Sequence, residues 1–129
     1  MIAIDTSAII AILWDEKESS RVRTRLAREG AAIFSAGNAL ELQIVLAGTG
    51  AIGAWDDVQV LFSTYSIEIR PFDERQLALA REAALRFGKG RHKARLNFGD
   101  CFAYALAMSE GVALLCIGKD FAQTDIALA

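Results

Sequence analysis

The sequence predicts an α/β fold in which a central parallel β-sheet is flanked by helices on both faces, an α/β/α sandwich. Short apolar runs of strand length alternate along the chain with longer stretches that repeat apolar residues at helical spacing, which is typical of parallel sheets. The 129 residues suit one domain, spanning 1–129, with a sizeable core. A hydrophobic content of 53% suits strands that are buried on both faces.

The first half of the chain contains two predicted strands and four predicted helices. Residues 1–4 are apolar and predict a strand, and residues 7–14 predict a helix with Ile9, Ile10 and Leu13 on one face. A second helix over 19–28 ends at Gly30, and a second strand follows at 32–34. We expect helices from about residue 38 to 47 and over 53–65, since glycines interrupt the pattern between them.

The second half repeats the alternation. A short strand is predicted at 67–69, and Pro71 closes it. Asp73 is in position to cap a long helix that ends near Phe87. Residues 88–96 predict a loop, a helix begins at Asn97 and runs to residue 110, and residues 112–117 predict a buried strand.

Composition excludes several classes of protein. Lys and Arg number 14 against 16 Asp and Glu, a net charge of −2, which excludes a uniformly basic nucleic-acid-binding surface but not a local patch. Cys101 and Cys116 lie in apolar runs, which predict buried, reduced thiols. A zinc site is not expected, because the two cysteines form no CxxC pair and His92 is the lone histidine. The N-terminus lacks the basic start of a signal peptide, and no apolar stretch reaches membrane length, so we expect a soluble cytoplasmic protein.

Four carboxylates lie in apolar surroundings where a solvated acid is unexpected. Asp5 ends the first apolar run, and Asp120 follows the last one after a short turn. Glu41 and Asp100 each lie among apolar residues. An unpaired buried carboxylate costs several kcal/mol, so each of these acids needs a partner.

Helix capping is one interpretation of these acids. Asp5 and Asp120 can each be the N-cap of the segment that follows. Asn38 with Glu41, and Asn97 with Asp100, have the spacing of a capping box. Taken singly, each acid is accounted for in this way.

A shared cation is the other interpretation. In a parallel sheet the ends of strands and the starts of the following helices lie at one edge, where ligands bind. Two carboxylates about 4 Å apart repel by about 4 kcal/mol at an effective dielectric constant of about 20. Since no lysine or arginine other than Lys119 is an obvious partner in the sequence, a divalent cation is the simplest way to hold all four. Oxygen ligands favour Mg²⁺ or Mn²⁺ over zinc.

Three segments resemble motifs of one family. IAIDTSAI (residues 2–9) resembles the opening motif of PIN-domain ribonucleases, and LNFGDCFAYALA (96–107) is similar to the third-acid motif of their VapC toxin branch. GKDFAQTDI (118–126) is similar to the C-terminal motif, and ALEL (39–42) fits the second acid. A glycine and an asparagine precede Glu41 where the family favours more apolar residues.

The resemblance implies a PIN-like fold and a Mg²⁺- or Mn²⁺-dependent endoribonuclease, the toxin of a type II toxin–antitoxin module that cuts tRNA or rRNA. It implies a metal pocket formed by four residues that are both catalytic and metal-binding: Asp5, Glu41, Asp100 and Asp120. Supporting residues would be Thr6, Ser7, Asn97 and Asp125. The implied partners are a VapB-type antitoxin and a second copy of the chain, and no membrane is implied. Core packing explains most of the apolar residues of helix 7–14, and the excess suits a surface for such a partner.

A basic segment directly precedes the Asp100 motif. Four of the 14 cations lie within seven residues: Lys89, Arg91, Lys93 and Arg95. Composition alone is typical of a solvated loop, whereas the position beside the acids suggests contacts with RNA phosphates. His92 in this segment is interpreted as a loop histidine rather than a catalytic acid.

Two other functions fit part of the pattern. Asp5 followed by Thr6 weakly resembles a phosphoacceptor or phosphatase aspartate of doubly wound folds, but the paired acid of such sites is missing. A non-catalytic PIN-like scaffold that binds RNA or protein is the second alternative, and the presence of all four acids argues against it.

Overall fold

The computed structural model describes residues 1–50 and 53–129, and in this part of the chain four strands form one parallel sheet. The strands are β1 (Ile2–Ile4), β2 (Ala32–Ser35), β3 (Ile67–Arg70) and β4 (Leu114–Leu115). Their order is β3–β2–β1–β4, with Ile4 of β1 paired to Phe34 on one side and to Leu115 on the other. The chain therefore builds the sheet outward from β1 in one direction and adds β4 on the other side, which makes the β1–β4 junction the topological switch point.

Six helices connect and cover these strands in the described residues. They are α1 (Thr6–Leu13), α2 (Ser19–Glu29), α3 (Ala36–Ala47), α4 (Ala54–Thr64), α5 (Glu74–Phe87) and α6 (Phe98–Glu110). Side chains of Asp5, Asp73 and Asn97 cap the helices that follow them, as the sequence predicts for these positions. Gly30 ends α2 at a φ of 74°, a left-handed conformation that glycine adopts without strain.

The core has two parts, one on each face of the sheet. Side chains alternate across a strand, so Ile4 and Phe34 pack into one apolar cluster, while Ala3 and Ile33 pack into the other. Helices α1 and α3 supply the first cluster, and α6 supplies much of the second, including the buried Tyr104. The predicted α/β sandwich with a parallel sheet is confirmed.

The strand predicted at 112–117 is wrong in its length, because β4 contains two residues. The backbone groups that follow β4 form hydrogen bonds with side chains rather than with a neighbouring strand. The Cys116 carbonyl accepts a hydrogen bond from the Arg21 guanidinium at 3.2 Å, and the Ile117 N–H donates to Ser7 Oγ at 3.0 Å. Side chains thus replace the strand ladder at the carboxyl end of β4, directly beside the acids.

The start of α3 also differs from the prediction. The helix begins at Ala36 instead of about residue 38, because the Ser35 side chain accepts a hydrogen bond from the Gly37 N–H at 3.2 Å and is the N-cap. A Cβ at Gly37 would overlap the Phe102 ring, so the close packing of α3 against α6 explains why glycine stands there. Of the two predicted buried thiols, Cys116 is buried and Cys101 is only half-buried.

None of the helices in the described ranges has the length and apolar character that spanning a bilayer requires.

Candidate active site at the carboxyl edge of the sheet

The predicted acids lie around the carboxyl edge of the sheet at the switch point. Asp5 directly follows β1, and its N–H donates to the Leu115 carbonyl of β4 at 2.9 Å. Asp120 follows β4, and Asp100 lies in the first turn of α6. Glu41 lies in the second turn of α3. Elements distant in sequence thus direct four acids towards the region where parallel sheets bind ligands.

Asp5 is both a helix cap and a buried carboxylate, with 5% of its surface exposed. Its Oδ2 accepts hydrogen bonds from the Ser7 N–H at 3.0 Å and from the Ser7 hydroxyl at 2.6 Å. Burial raises the pKa of Asp5, the Ser7 hydrogen bonds oppose that rise, and the charge of Glu41 adds to it. Since Ser7 also accepts from the Ile117 N–H, it ties Asp5 to the end of β4.

Asp100 is held in a capping box with Asn97. Its Oδ2 accepts from the Asn97 N–H at 2.9 Å, while Asn97 Oδ1 accepts from the Asp100 N–H at 2.9 Å. The pKa of Asp100 is raised to about 7, chiefly by burial, with further contributions from the negative charges of Asp5, Asp120 and Glu41. The capping interpretation and the acid cluster are therefore both present at this residue.

Glu41 is held by an asparagine that the sequence analysis considered only as a helix cap. Asn38 lies inside α3, fully buried, and its amide donates to Glu41 Oε1 at 3.1 Å and to the Gly99 carbonyl at 2.9 Å. The capping-box interpretation of Asn38 and Glu41 is therefore wrong. A buried amide that bridges α3 and the start of α6 fixes the Glu41 carboxylate relative to Asp100.

Gly99 is a second residue that the sequence analysis missed. A Cβ at this position would overlap the Glu41 carboxylate, so only glycine leaves room for Glu41 against the first turn of α6. The only sequence signal for this approach is a glycine inside the first turn of a helix, where glycine is otherwise unfavourable.

Asp120 is exposed and precedes a short 3₁₀ turn (Phe121–Gln123). Within the described chain its side chain makes no capping hydrogen bond to that turn, so the capping interpretation is wrong for Asp120. Instead, Asp120 lines a surface cleft of about 310 Å³ together with Lys89, Arg95 and Asn97.

The predicted basic segment is a loop closed at its base by backbone hydrogen bonds. The Lys89 N–H donates to the Leu96 carbonyl at 3.0 Å, and the Leu96 N–H donates to the Phe87 carbonyl at 2.9 Å. This closure places Lys89 and Arg95 in the cleft with Asp120, whereas Arg91 and Lys93 are exposed elsewhere on the loop. His92 is structural, since its Nδ1 accepts from the Ala94 N–H at 3.0 Å.

The four acids lack a cationic side-chain partner in the part of the chain that the structure describes. Among residues 1–50 and 53–129, no lysine or arginine forms an ion pair with Asp5, Glu41, Asp100 or Asp120. In the same residues no three His, Cys, Asp or Glu side chains stand close enough to coordinate one ion. Burial and the neighbouring negative charges together raise the pKa of Asp5 and of Asp100.

The donor set nevertheless fits a hard divalent cation. Carboxylate oxygens are the ligands that Mg²⁺ and Mn²⁺ prefer, and the uncompensated negative charge is what such an ion would neutralise. Thr6 adds a buried hydroxyl beside Asp5 whose oxygen lacks a hydrogen-bond partner in the described residues.

Asp125 is held on the neighbouring helices. Its Oδ1 accepts from the Tyr104 hydroxyl at 2.8 Å, and its Oδ2 lies 3.3 Å from the Arg86 guanidinium. These contacts link the C-terminal segment to α5 and α6 and explain the presence of Asp125 without a catalytic role. Its role as an auxiliary acid stays a prediction.

The chain resembles known proteins over nearly its whole length. The PIN domain family matches residues 2–127. A Ribonuclease VapC of Mycolicibacterium smegmatis is 38% identical over 124 residues, which are 96% of this chain and 96% of the relative. Ribonuclease VapC28 of Mycobacterium tuberculosis is 40% identical over 124 residues, covering 95% of this chain and 93% of the relative.

Solved structures share the fold. VapC20 of Mycobacterium tuberculosis, described as a Sarcin-Ricin loop cleaving toxin, superposes with a TM-score of 0.77 at 15% identity and covers 100% of this chain and 98% of its own. VapBC2 of Rickettsia felis, bound to a promoter DNA fragment, superposes with a TM-score of 0.78 at 16% identity, with the same coverage.

Proposed function

The chain belongs to the PIN-domain family and to its VapC ribonuclease branch, and on that premise we propose that it is a divalent-cation-dependent endoribonuclease, the toxin of a toxin–antitoxin pair. The observation that carries the proposal is the uncompensated acid cluster. Burial raises the pKa of Asp100, the charges of Asp5, Asp120 and Glu41 add to that rise, and none of the four acids is neutralised by a cationic side chain in the described residues.

Asp5 and Asp100 are the proposed direct ligands of Mg²⁺ or Mn²⁺. Both are held before any ion arrives, Asp5 by Ser7 and Asp100 by Asn97. Preorganised ligands lose less conformational entropy on binding, so these hydrogen bonds favour the ion. When bound, the cation stabilises the negative charge that develops as a phosphodiester is hydrolysed, and it lowers the pKa of water.

Glu41 and Asp120 complete the proposed site. Glu41 either binds the ion or orients the attacking water as a base, and Asn38 is its positioning residue through the 3.1 Å hydrogen bond. Asp120 is exposed at the rim, where it either holds a second ion or acts through water.

Lys89 and Arg95 are proposed to hold RNA phosphates. Both line the cleft that contains Asp120, so a phosphate backbone following the two cations would pass beside the acids. Arg91 and Lys93, on the same exposed loop, add positive charge that attracts RNA from a distance.

A VapB-type antitoxin is the proposed partner, in a hetero-oligomer or with a homodimer of this chain, in the cytoplasm. One of the structural neighbours is titled a toxin–antitoxin complex from Klebsiella pneumoniae; it superposes with a TM-score of 0.71 at 14% identity and covers 100% of this chain and 97% of its own. Ile9 and Ile12 of α1 are buried in the core, whereas Trp14 at the end of α1 is 48% exposed and Val60 of α4 is 65% exposed. An amphipathic helix of a partner could cover such residues.

Cleavage of RNA and its dependence on a cation are tested together. Purified protein is incubated with total tRNA and rRNA in Mg²⁺, in Mn²⁺ or with excess chelator, and the products are resolved on a denaturing gel. We expect discrete fragments in either metal and none with chelator, with activity restored when Mg²⁺ is added back. Equal cleavage with chelator would refute the dependence on a divalent cation. Intact tRNA and rRNA under all conditions would refute the proposal that these RNAs are the substrates.

A further inference from the structure

Phe98 is the most exposed large apolar side chain of the described residues, with 82% of its surface accessible. It is the first residue of α6 and lies two residues before Asp100. An exposed aromatic ring beside a charged site offers a surface on which a flat ligand can stack.

The ring is held in place by a row of aromatic side chains. Phe98 packs edge to face on Phe102, with centroids 5.0 Å apart, and Phe102 packs in the same way on Phe72 at 4.7 Å. Behind them lies an apolar groove of about 520 Å³, which Leu77 and Leu96 also line. A ring supported in this way loses little conformational freedom when a flat ligand stacks on it.

The groove adjoins the cleft that contains Asp120. Lys89 and Asn97 line both the apolar groove and the cleft that contains Arg95 and Asp120. A positively charged rim next to an aromatic surface matches a nucleotide, which presents a phosphate and a flat base a short distance apart.

We propose that Phe98 and the groove behind it form a stacking site for an unpaired base of the RNA, next to the phosphodiester that the acids cleave. The proposal rests on the proposed ribonuclease function and names the form of RNA it acts on. Bases in a duplex are stacked on each other, so this site selects single-stranded segments, loops or flipped nucleotides. Aromatic stacking tolerates any base, which places sequence selection elsewhere.

The test distinguishes binding of the RNA bases from binding of the phosphates. Binding of a short oligo(A) and of inorganic polyphosphate, which has no bases, is measured by fluorescence anisotropy in chelator, where cleavage is suppressed. Phe98→Ala and Phe98→Leu are expected to bind oligo(A) about tenfold more weakly and polyphosphate unchanged, while Phe98→Tyr retains both affinities. Lys89→Gln is expected to weaken both ligands and to flatten the salt dependence of binding.

Met108→Ala is the matched control, since Met108 is also exposed on α6, about 15 Å further along the helix. Unchanged oligo(A) binding by Phe98→Ala would overturn the proposal. So would a Phe98→Ala protein that changes oligomeric state in sedimentation while its oligo(A) affinity stays the same, since Phe98 would then belong to an interface between copies.

The gel assay of tRNA and rRNA distinguishes this inference from the proposed function. Wild-type cleavage combined with unaltered oligo(A) binding by Phe98→Ala refutes the stacking site alone. If the wild-type protein cuts no RNA but Phe98→Ala still weakens oligo(A) binding, the nuclease is refuted and the base-stacking site is supported.

Discussion

Asp100→Asn is expected to lower RNA cleavage by about a thousandfold or more, measured as the initial rate on tRNA or rRNA in Mg²⁺. Asparagine keeps the shape of the side chain and can still accept the hydrogen bond from the Asn97 N–H, so the capping box and the fold remain. What it removes is the negative charge that a cation needs.

The same substitution is expected to stabilise the metal-free protein by about 1 kcal/mol, because it removes a charge that is disfavoured chiefly by burial and also by repulsion from Asp5, Asp120 and Glu41. Glu110→Gln is the control for cleavage, since it also removes one negative charge from α6, about 15 Å from Asp100, together with a 3.7 Å ion pair to Arg70. The control should cleave RNA at the wild-type rate. Cleavage by Asp100→Asn at the wild-type rate would contradict the site assignment. The free energy of unfolding is measured by urea denaturation in the presence of chelator.

Gly99→Ala is expected to reduce cleavage by about a hundredfold with little loss of stability. The new methyl group overlaps the Glu41 carboxylate, which is the flexible end of a side chain and can swing away at low cost. The fold therefore survives, but Glu41 leaves its position beside Asn38 and Asp100. Activity and thermal denaturation are measured on the same preparations.

A double-mutant cycle with Glu41→Ala decides whether the effect acts through Glu41. In the Glu41→Ala background the methyl group meets no carboxylate, so Gly99→Ala should change activity no further. Additive losses in the double mutant would show that Gly99 acts through some other contact, such as the backbone at the start of α6.

The fold was predictable because its signals are local. Apolar runs, caps and glycine stops identified each strand and helix, and the order of the elements identified a parallel sheet. The end of β4 was not predictable in this way, because the groups that replace its ladder come from Ser7 and Arg21, which lie more than ninety residues away in the chain.

The four acids were predictable as candidates because a carboxylate in an apolar run is unusual anywhere in a chain. The roles of Asn38 and Gly99 were not predictable, since they depend on a contact between α3 and α6 that joins residues 61 positions apart in the chain. Phe98 was missed for a different reason: an apolar residue in an apolar helix start predicts burial, and its exposure is visible only once the fold is known.

Titration with Mn²⁺ by isothermal calorimetry tests the central claim, that Asp5 and Asp100 hold a divalent cation. We expect the wild-type protein to bind Mn²⁺, Glu110→Gln to bind it equally well, and Asp100→Asn to bind it at least about tenfold more weakly, since one of its proposed direct ligands has lost its charge. Equal affinity in the wild type and Asp100→Asn, or no measurable binding by the wild type, would contradict the account.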